Sequence, residues 1–349
     1  MLKTAAYAAT SATTPLAPFS IDRREPGDHD VLIEILYCGI CHSDIHQARG
    51  EWGNSRFPMV PGHEIVGRVA KVGAHVTRWK VGDNVGVGVF IDSCKTCHEC
   101  TSGEEHFCEQ GITQTYNDVE RGSQNLTFGG YSKQITVDER YVLKIPDGMD
   151  LAAAAPLLCA GITTYSPLKH FGCKPGAAVA VLGLGGLGHV GVKFAKALGA
   201  HVTVLSTSES KRAAAIKLGA DDFVVTKDAS AFSANAKRFD LILDTASGNH
   251  DYNAFLGMLK RDGVMVLVGI PDPQPVFAVS LIAGRKSLAG SMIGSMAETQ
   301  EMLDFAALHG FAADVELINI QQVNEAYERV VKADVLYRFV IDMSSLPPA

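Results

Sequence analysis

Between residues 30 and 145 the apolar positions fall in short runs cut by glycine: VLIEILYCG (31–39), EIVGRVAKVG (64–73), DNVGVGVF (83–90) and YSKQITVDERYVLKI (131–145). Short apolar runs bounded by turn residues predict strands. No sustained helical period runs through this half, so the pattern predicts a β-rich barrel or partly open sandwich. After LAAAAPLLCAGITTY (151–165) the texture changes. AAVAVLG (177–183), HVTVLS (201–206), DDFVV (221–225), FDLILDTA (239–246), GVMVLVG (263–269) and KSLAGSMIG (286–294) are near-continuous apolar runs. Most are separated by helix-period segments such as LGHVGVKFAKALG (187–199) and ESKRAAAIKLG (209–219). That alternation predicts an α/β domain, a doubly wound parallel sheet covered on both faces.

The last fifty residues predict two amphipathic helices, around 298–309 and 321–332, and a strand YRFVID (337–342). We assign them back to the first domain. The expected organisation is therefore 1–160 with 296–349 as one domain and 161–295 as an insertion. At 349 residues the chain exceeds what one core ordinarily supports, which agrees with two domains. A net charge of −7, with basic residues dispersed rather than striped, leaves no footprint for a nucleic-acid partner. The N-terminus lacks a signal-peptide pattern, and no run of about 18 uninterrupted apolar residues predicts a membrane span. A cytoplasmic protein is expected.

Cysteines carry the first chemical signal. Cys38-Gly39-Ile40-Cys41-His42 has the CxxCH spacing of c-type haem attachment, and CxxC is also that of a redox pair. The missing export signal weakens the haem reading and favours metal or catalysis over disulfides. In CKTCHECTSGEEHFC, four thiols, Cys94, Cys97, Cys100 and Cys108, supply all four corners of a tetrahedral zinc, the arrangement of a structural site in a lobe at about 92–110. A catalytic zinc needs three protein ligands and an open position. Candidates lie in three distant stretches: Cys41, then His63 and Glu64 in PGHEIVG, then Cys159. Singly, each also fits a plain structural role, core packing for Cys159 and a turn for His63-Glu64, and spacing does not choose.

The run AVLGLGGLGHVGV places Gly183, Gly185 and Gly188 in a GxGxxG turn, with Leu184, Gly186 and Leu187 between them, after a strand and opening a helix. Glycines there let a pyrophosphate approach backbone N–H groups at a helix N-terminus. An NAD-preferring site carries Asp or Glu about 20 residues on. Here the next strand ends in Ser206-Thr207-Ser208, followed by Lys211 and Arg212. Hydroxyls and cations accommodate a 2′-phosphate, so NADP(H) is the expected cofactor. Ser208 or Ser210 could equally cap a helix.

The phrases YCGICHSDIHQ, VPGHEIVGRV, CKTCHEC, PLLCAGITTYSPL, GLGGLGHVGVK and YRFVID occur in order along the whole chain. With them the sequence resembles the zinc-dependent medium-chain alcohol dehydrogenases, in the branch of cinnamyl alcohol dehydrogenases and aldehyde reductases. The resemblance implies a GroES-like β-rich catalytic domain joined to a Rossmann domain, two zinc ions per chain, and reduction of aromatic and medium aliphatic aldehydes to alcohols with NADPH. It implies Cys41, His63 and Cys159 as catalytic zinc ligands, with Glu64 either a further ligand or an outer neighbour. Ser43 would hydrogen-bond the substrate oxygen, and His46 would link that hydroxyl to solvent by way of the cofactor ribose. Cofactor contacts are implied at His42, Ser43, Thr163, Thr245, Gly269, Ser291 and Arg338. Asp44 would orient the zinc surroundings and Trp52 would wall the substrate pocket. Cys38 is expected to be buried packing, Cys173 has no assigned role, and SLAGSMIG could pair across a homodimer. A zinc-free quinone or enoyl reductase and a non-catalytic NADP(H)-binding protein are the competing classes. The complete set Cys41, His63, Glu64 and Cys159 disfavours the first.

Overall fold

The computed structural model describes residues 1–347, and the chain divides into two compact units. One comprises residues 1–159 together with the chain from Gly294 onward; the other comprises Ala160–Ile293.

The first unit is built on a seven-stranded sheet. Its strands run in the order Val315–Asn319, Arg338–Asp342, Asp30–Gly39, Ile65–Val72, Asn84–Val87, Leu143–Lys144, with Gln134–Asp138 also pairing to Asp30–Gly39. All these pairings are antiparallel except the first. Val31, Ile33 and Ile35 alternate onto the buried face, as period-two patterning requires. Gly67 permits the neighbouring strand to come close, since a Cβ there would lie 2.2 Å from the Glu34 carbonyl oxygen. The strands Leu2–Ala8 and Ala17–Arg23, which the pattern reading did not pick out, form a separate antiparallel pair. The C-terminal segment contributes the helices Met296–Leu308 and Val323–Val331 before the strand Arg338–Asp342.

The second unit is a six-stranded, all-parallel sheet in the order Asp222–Val225, His201–Ser206, Ala178–Leu182, Phe239–Asp244, Leu259–Leu267, Ser287–Gly290. Val179, Ala180 and Val181 are all fully buried, which is why this strand reads as continuously apolar rather than alternating. The order reverses between Ala178–Leu182 and Phe239–Asp244, and ligands of such sheets bind beyond the carboxyl ends of the strands at that point. The last apolar run is a short edge strand, Ser287–Gly290, rather than the longer 286–294.

Among the described residues no single helix is long and apolar enough to cross a membrane.

Candidate metal and dinucleotide sites

Cys41 follows the strand Asp30–Gly39 and sits at the N-cap of the helix His42–Ala48. Asp44, three positions on, accepts the Cys41 N–H through Oδ2 at 2.9 Å, closing a capping box. Its Oδ1 accepts the Gly62 N–H at 3.1 Å and lies 3.1 Å from His63 Nδ1. A single fully buried carboxylate thus ties the first candidate stretch to the second. With Nδ1 donating to Asp44, the lone pair of His63 remains on Nε2, the form a metal takes. Gly62 has φ +105°, and a Cβ there would strike the Cys38 sulfur at 2.7 Å, so the turn that delivers His63 admits only glycine.

Cys159 lies between the turn Ala155–Leu158 and the helix Ala160–His170, and its Sγ is 3.9 Å from that of Cys41. Cys41, His63, Glu64 and Cys159 each offer a donor atom within 4.8 Å of the other three. Two sulfurs each about 2.3 Å from one tetrahedral centre stand about 3.8 Å apart, so the sulfur separation fits a zinc ion. Glu64 Oε1 accepts from the Arg338 guanidinium, while Oε2 is buried with no hydrogen-bond partner. A Cβ at position 39 would lie 2.0 Å from Oε2, so Gly39 makes the room that this oxygen occupies.

The electrostatics fit a dication. Hydrogen bonding between the two sulfurs pushes Cys41 down and Cys159 up. Burial pushes His63 down, but the adjacent Asp44 and Cys41 outweigh it and leave the imidazole raised. Burial pushes Glu64 up, while the Arg338 guanidinium beside it pulls the other way and favours the carboxylate. Two thiolates match a divalent ion, and Arg338 already balances Glu64.

Around this cluster, Ser43 Oγ donates to Cys41 Sγ at 3.1 Å. His46 stacks between His42 and Trp52, at 4.9 and 5.1 Å between ring centroids, and its Nδ1 is paired with Glu51. Cys38 is fully buried against Gly62 and Gly130, and its Sγ bonds the Gly39 carbonyl oxygen. Cys38 and Cys41 therefore face different neighbours, and the CxxCH spacing does not make a pair. Arg338, expected as a cofactor contact, is 4% exposed and turned onto Glu64. That pairing was illegible in the sequence.

Cys94, Cys97, Cys100 and Cys108 also bring four sulfurs within 4.8 Å, with 3.8 Å between Cys94 and Cys100. All eight cysteines are free thiols. Backbone N–H groups of Thr96 and Cys97 push Cys94 down to about 6, favouring the thiolate that a metal binds. Sequence reasoning missed the support behind Cys100: Ser93 Oγ lies 3.1 Å from its sulfur and 2.8 Å from the Tyr141 hydroxyl.

In the second unit the glycines divide the work. Gly183 has φ +90°, and a Cβ on Gly188 would fall 2.1 Å from the Gly183 carbonyl oxygen, so both are demanded by the turn itself. Gly185 faces open space, where a ligand can approach. Gly188 begins the ten-residue helix Gly188–Ala197. Ser206 is buried and its Oγ accepts the Ser208 N–H at 3.2 Å; Thr207 is exposed. Ser208 stands before the short turn Glu209–Lys211 without a side-chain cap bond, and its Oγ pairs with Ser210 at 2.7 Å. Lys211 Nζ folds back onto the Leu184 carbonyl at 3.1 Å, beside the glycine turn. Arg212 is instead engaged by Glu209 and the Phe223 carbonyl. Thr245 Oγ1 donates to the Leu182 carbonyl at 2.8 Å, and a Cβ at Gly269 would lie 2.2 Å from the Ala246 carbonyl oxygen. Thr163 is buried in the helix Ala160–His170, and Ser291 donates its N–H to Leu267.

Comparison with known proteins agrees with this architecture. Residues 27–147 match the alcohol dehydrogenase GroES-like domain and residues 186–307 the zinc-binding dehydrogenase family. The chain is 55% identical over 348 residues to NADP-dependent alcohol dehydrogenase C 1 of Mycolicibacterium smegmatis, covering 99% of each. It is 54% identical over 351 residues to aldehyde reductase YahK of Escherichia coli, again covering 99% of each. Its fold superposes on a cinnamyl alcohol dehydrogenase of Sorghum bicolor with a TM-score of 0.97 at 46% identity, covering 100% of this chain and 99% of that one.

Proposed function

The chain belongs to the zinc-binding alcohol dehydrogenases with a GroES-like domain, and from that premise we propose how its residues carry out NADPH-linked reduction of aldehydes to primary alcohols. The observation that carries the assignment is the convergence of Cys41, His63, Glu64 and Cys159, donor atoms within 4.8 Å of one another, from three distant stretches. Cys41, His63 and Cys159 would hold the catalytic zinc. Glu64, pinned by Arg338 through one oxygen and bare at the other, would be either a further ligand or an outer neighbour of that ion. When bound, zinc polarises a carbonyl oxygen as a Lewis acid and the nicotinamide supplies hydride.

The chain's own part is positioning and proton supply. Asp44 fixes the ring of His63 and the backbone of Cys41 together, which orients two of the residues that would hold the ion. Ser43 carries its hydroxyl 3.1 Å from Cys41 Sγ, close enough to the donor cluster to turn that proton toward a substrate oxygen. His46 lies one helical turn further on, with Glu51 on its Nδ1, and is the group that exchanges this proton with solvent. The cysteines at 94, 97, 100 and 108 would hold a structural zinc. In the second unit the glycine turn takes the pyrophosphate, and Ser206, Thr207, Ser208 and Lys211 take the 2′-phosphate. His42, Thr163, Gly269, Ser291 and Arg338 complete the cofactor assignment by family resemblance.

Aromatic and medium aliphatic aldehydes are the substrates expected of this branch. Eight free thiols suit a reducing compartment, which supports a cytoplasmic location. The edge strand Ser287–Gly290, flanked by the exposed side chains of Ile282 and Met292, supports a homodimer formed by edge-to-edge pairing. The deciding experiment is an aldehyde panel with NADPH and with NADH, run beside metal analysis. About two zinc ions per chain and aldehyde-dependent NADPH oxidation are expected. One ion per chain with quinone or enoyl reduction would replace this reading, and NADPH binding without turnover would leave a non-catalytic protein.

A further inference from the structure

We infer that His250 is a positioning residue for dinucleotide binding: its ring, held as a cation between Asp244 and the Gly248 carbonyl, locks the loop that presents Thr245 to the glycine turn. The inference rests on the reading of the second unit as the NADP(H) site.

Asp244 ends the strand Phe239–Asp244, paired with Leu182 at the point where strand order reverses. Nearly every acceptor it has is used to tie loops together. Its buried carboxylate takes the Ala246 N–H through Oδ1 at 3.0 Å and faces His250 Nε2 through Oδ2 at 2.8 Å. Its backbone oxygen accepts the N–H groups of Val268 at 3.0 Å and Gly269 at 3.2 Å. Between these anchors Thr245 is pressed onto the glycine turn, 3.1 Å from where a Cβ on Gly183 would stand.

His250 closes the loop. Its Nδ1 lies 2.8 Å from the Gly248 carbonyl oxygen while Nε2 faces Asp244. A carbonyl oxygen only accepts, and an ionised carboxylate only accepts, so each ring nitrogen must carry a hydrogen. That is the imidazolium form. Asp244 from the preceding strand and Asp251 at the start of the helix Tyr252–Met258 are the charges that face it, with Tyr252 the other titratable neighbour. The rings of Tyr252 and Phe255 pack edge-on at 5.1 and 5.4 Å. Burial pushes His250 down, but the hydrogen bonds to Asp244 and Gly248 outweigh it and leave the ring raised. A raised folded value means that the clamp is complete at low pH and is lost as pH rises through that value. Deprotonation removes one of the two loop hydrogen bonds together with the charge opposite Asp244.

The test is the NADPH dissociation constant of the full zinc-loaded chain from pH 6 to 9, for wild type, H250Q and H250R. Wild-type affinity is expected to fall about five- to tenfold across the range, the lower end of ordinary coupling between sites. H250Q should be weaker than H250R by a similar factor at every pH. H250R, which donates and stays charged, should match wild type at low pH and bind increasingly more tightly than wild type toward pH 9. Titration of the 2′-phosphate is common to all three and cancels in their ratios. Tight binding with superimposable profiles would overturn the role of His250 alone. A wild-type chain that binds no NADPH at any pH would overturn the dinucleotide reading as well.

Discussion

Glu64 and Arg338 stand 274 positions apart in the chain and form a buried ion pair beside the candidate zinc ligands. The geometry spends only one carboxylate oxygen on the arginine and leaves the other without a partner. Glu64 is thereby held by one oxygen while its side chain stays within the donor cluster of Cys41, His63 and Cys159.

Removing the tether should be expensive. Arg338→Ala strands a buried carboxylate, and breaking a buried pair from one side costs about 3–5 kcal/mol. We expect a large fall in chemical-denaturation stability, partly recovered in the double variant Arg338→Ala/Glu64→Gln. A stability change below about 1 kcal/mol in the single variant would remove the pair from any structural role.

The two metal sites should separate cleanly. Cys159→Ala removes one corner of the cluster with Cys41, His63 and Glu64, and should leave about one zinc per chain, folded protein and turnover reduced by at least about a thousandfold. Cys97→Ser should also leave about one zinc, but with stability falling before intrinsic chemistry does. Metal analysis, circular dichroism and single-turnover kinetics on both variants check this. Retention of two ions in Cys159→Ala would contradict the ligand assignment.

Cofactor preference should follow Lys211. Its ammonium is held against the Leu184 carbonyl, whereas Arg212 is engaged by Glu209. Lys211→Ala should raise KM for NADPH by about tenfold, the worth of one charge-assisted hydrogen bond, and change KM for NADH little. Equal effects on the two cofactors would show that Lys211 supports the turn and does not read the phosphate.

Acid stability carries a signature from Asp138. Burial raises this carboxyl, but hydrogen bonds from Arg140 and the charge of Lys95 prevail and bring it down to about 2. Depression in the folded state means that the stabilisation is complete above the unfolded value of 3.8 and disappears as pH falls through about 2. Asp138→Asn should therefore lose stability at pH 6 and unfold with a shallower pH dependence between about 4 and 2. An acid-unfolding curve parallel to that of wild type would assign the effect elsewhere.

The features legible in the sequence are those whose chemistry is local. Four cysteines within fifteen residues can meet around one ion whatever the rest of the chain does. A glycine turn between a strand and a helix declares its purpose through its own backbone angles. The parallel sheet was legible because strands covered on both faces must be apolar throughout. Cys41, His63 and Cys159 are different: in isolation each has a plain role in packing or in a turn, and resemblance to a known family was needed to group them. What only the tertiary structure decided is how residues far apart in sequence divide one another's charges and hydrogen bonds. Asp44 joins two ligand stretches, Arg338 restrains Glu64, Glu209 occupies Arg212, and His250 braces Asp244. Residue order specifies which groups exist, but burial strips water from them, and a group without water must take whichever partner the fold brings within reach.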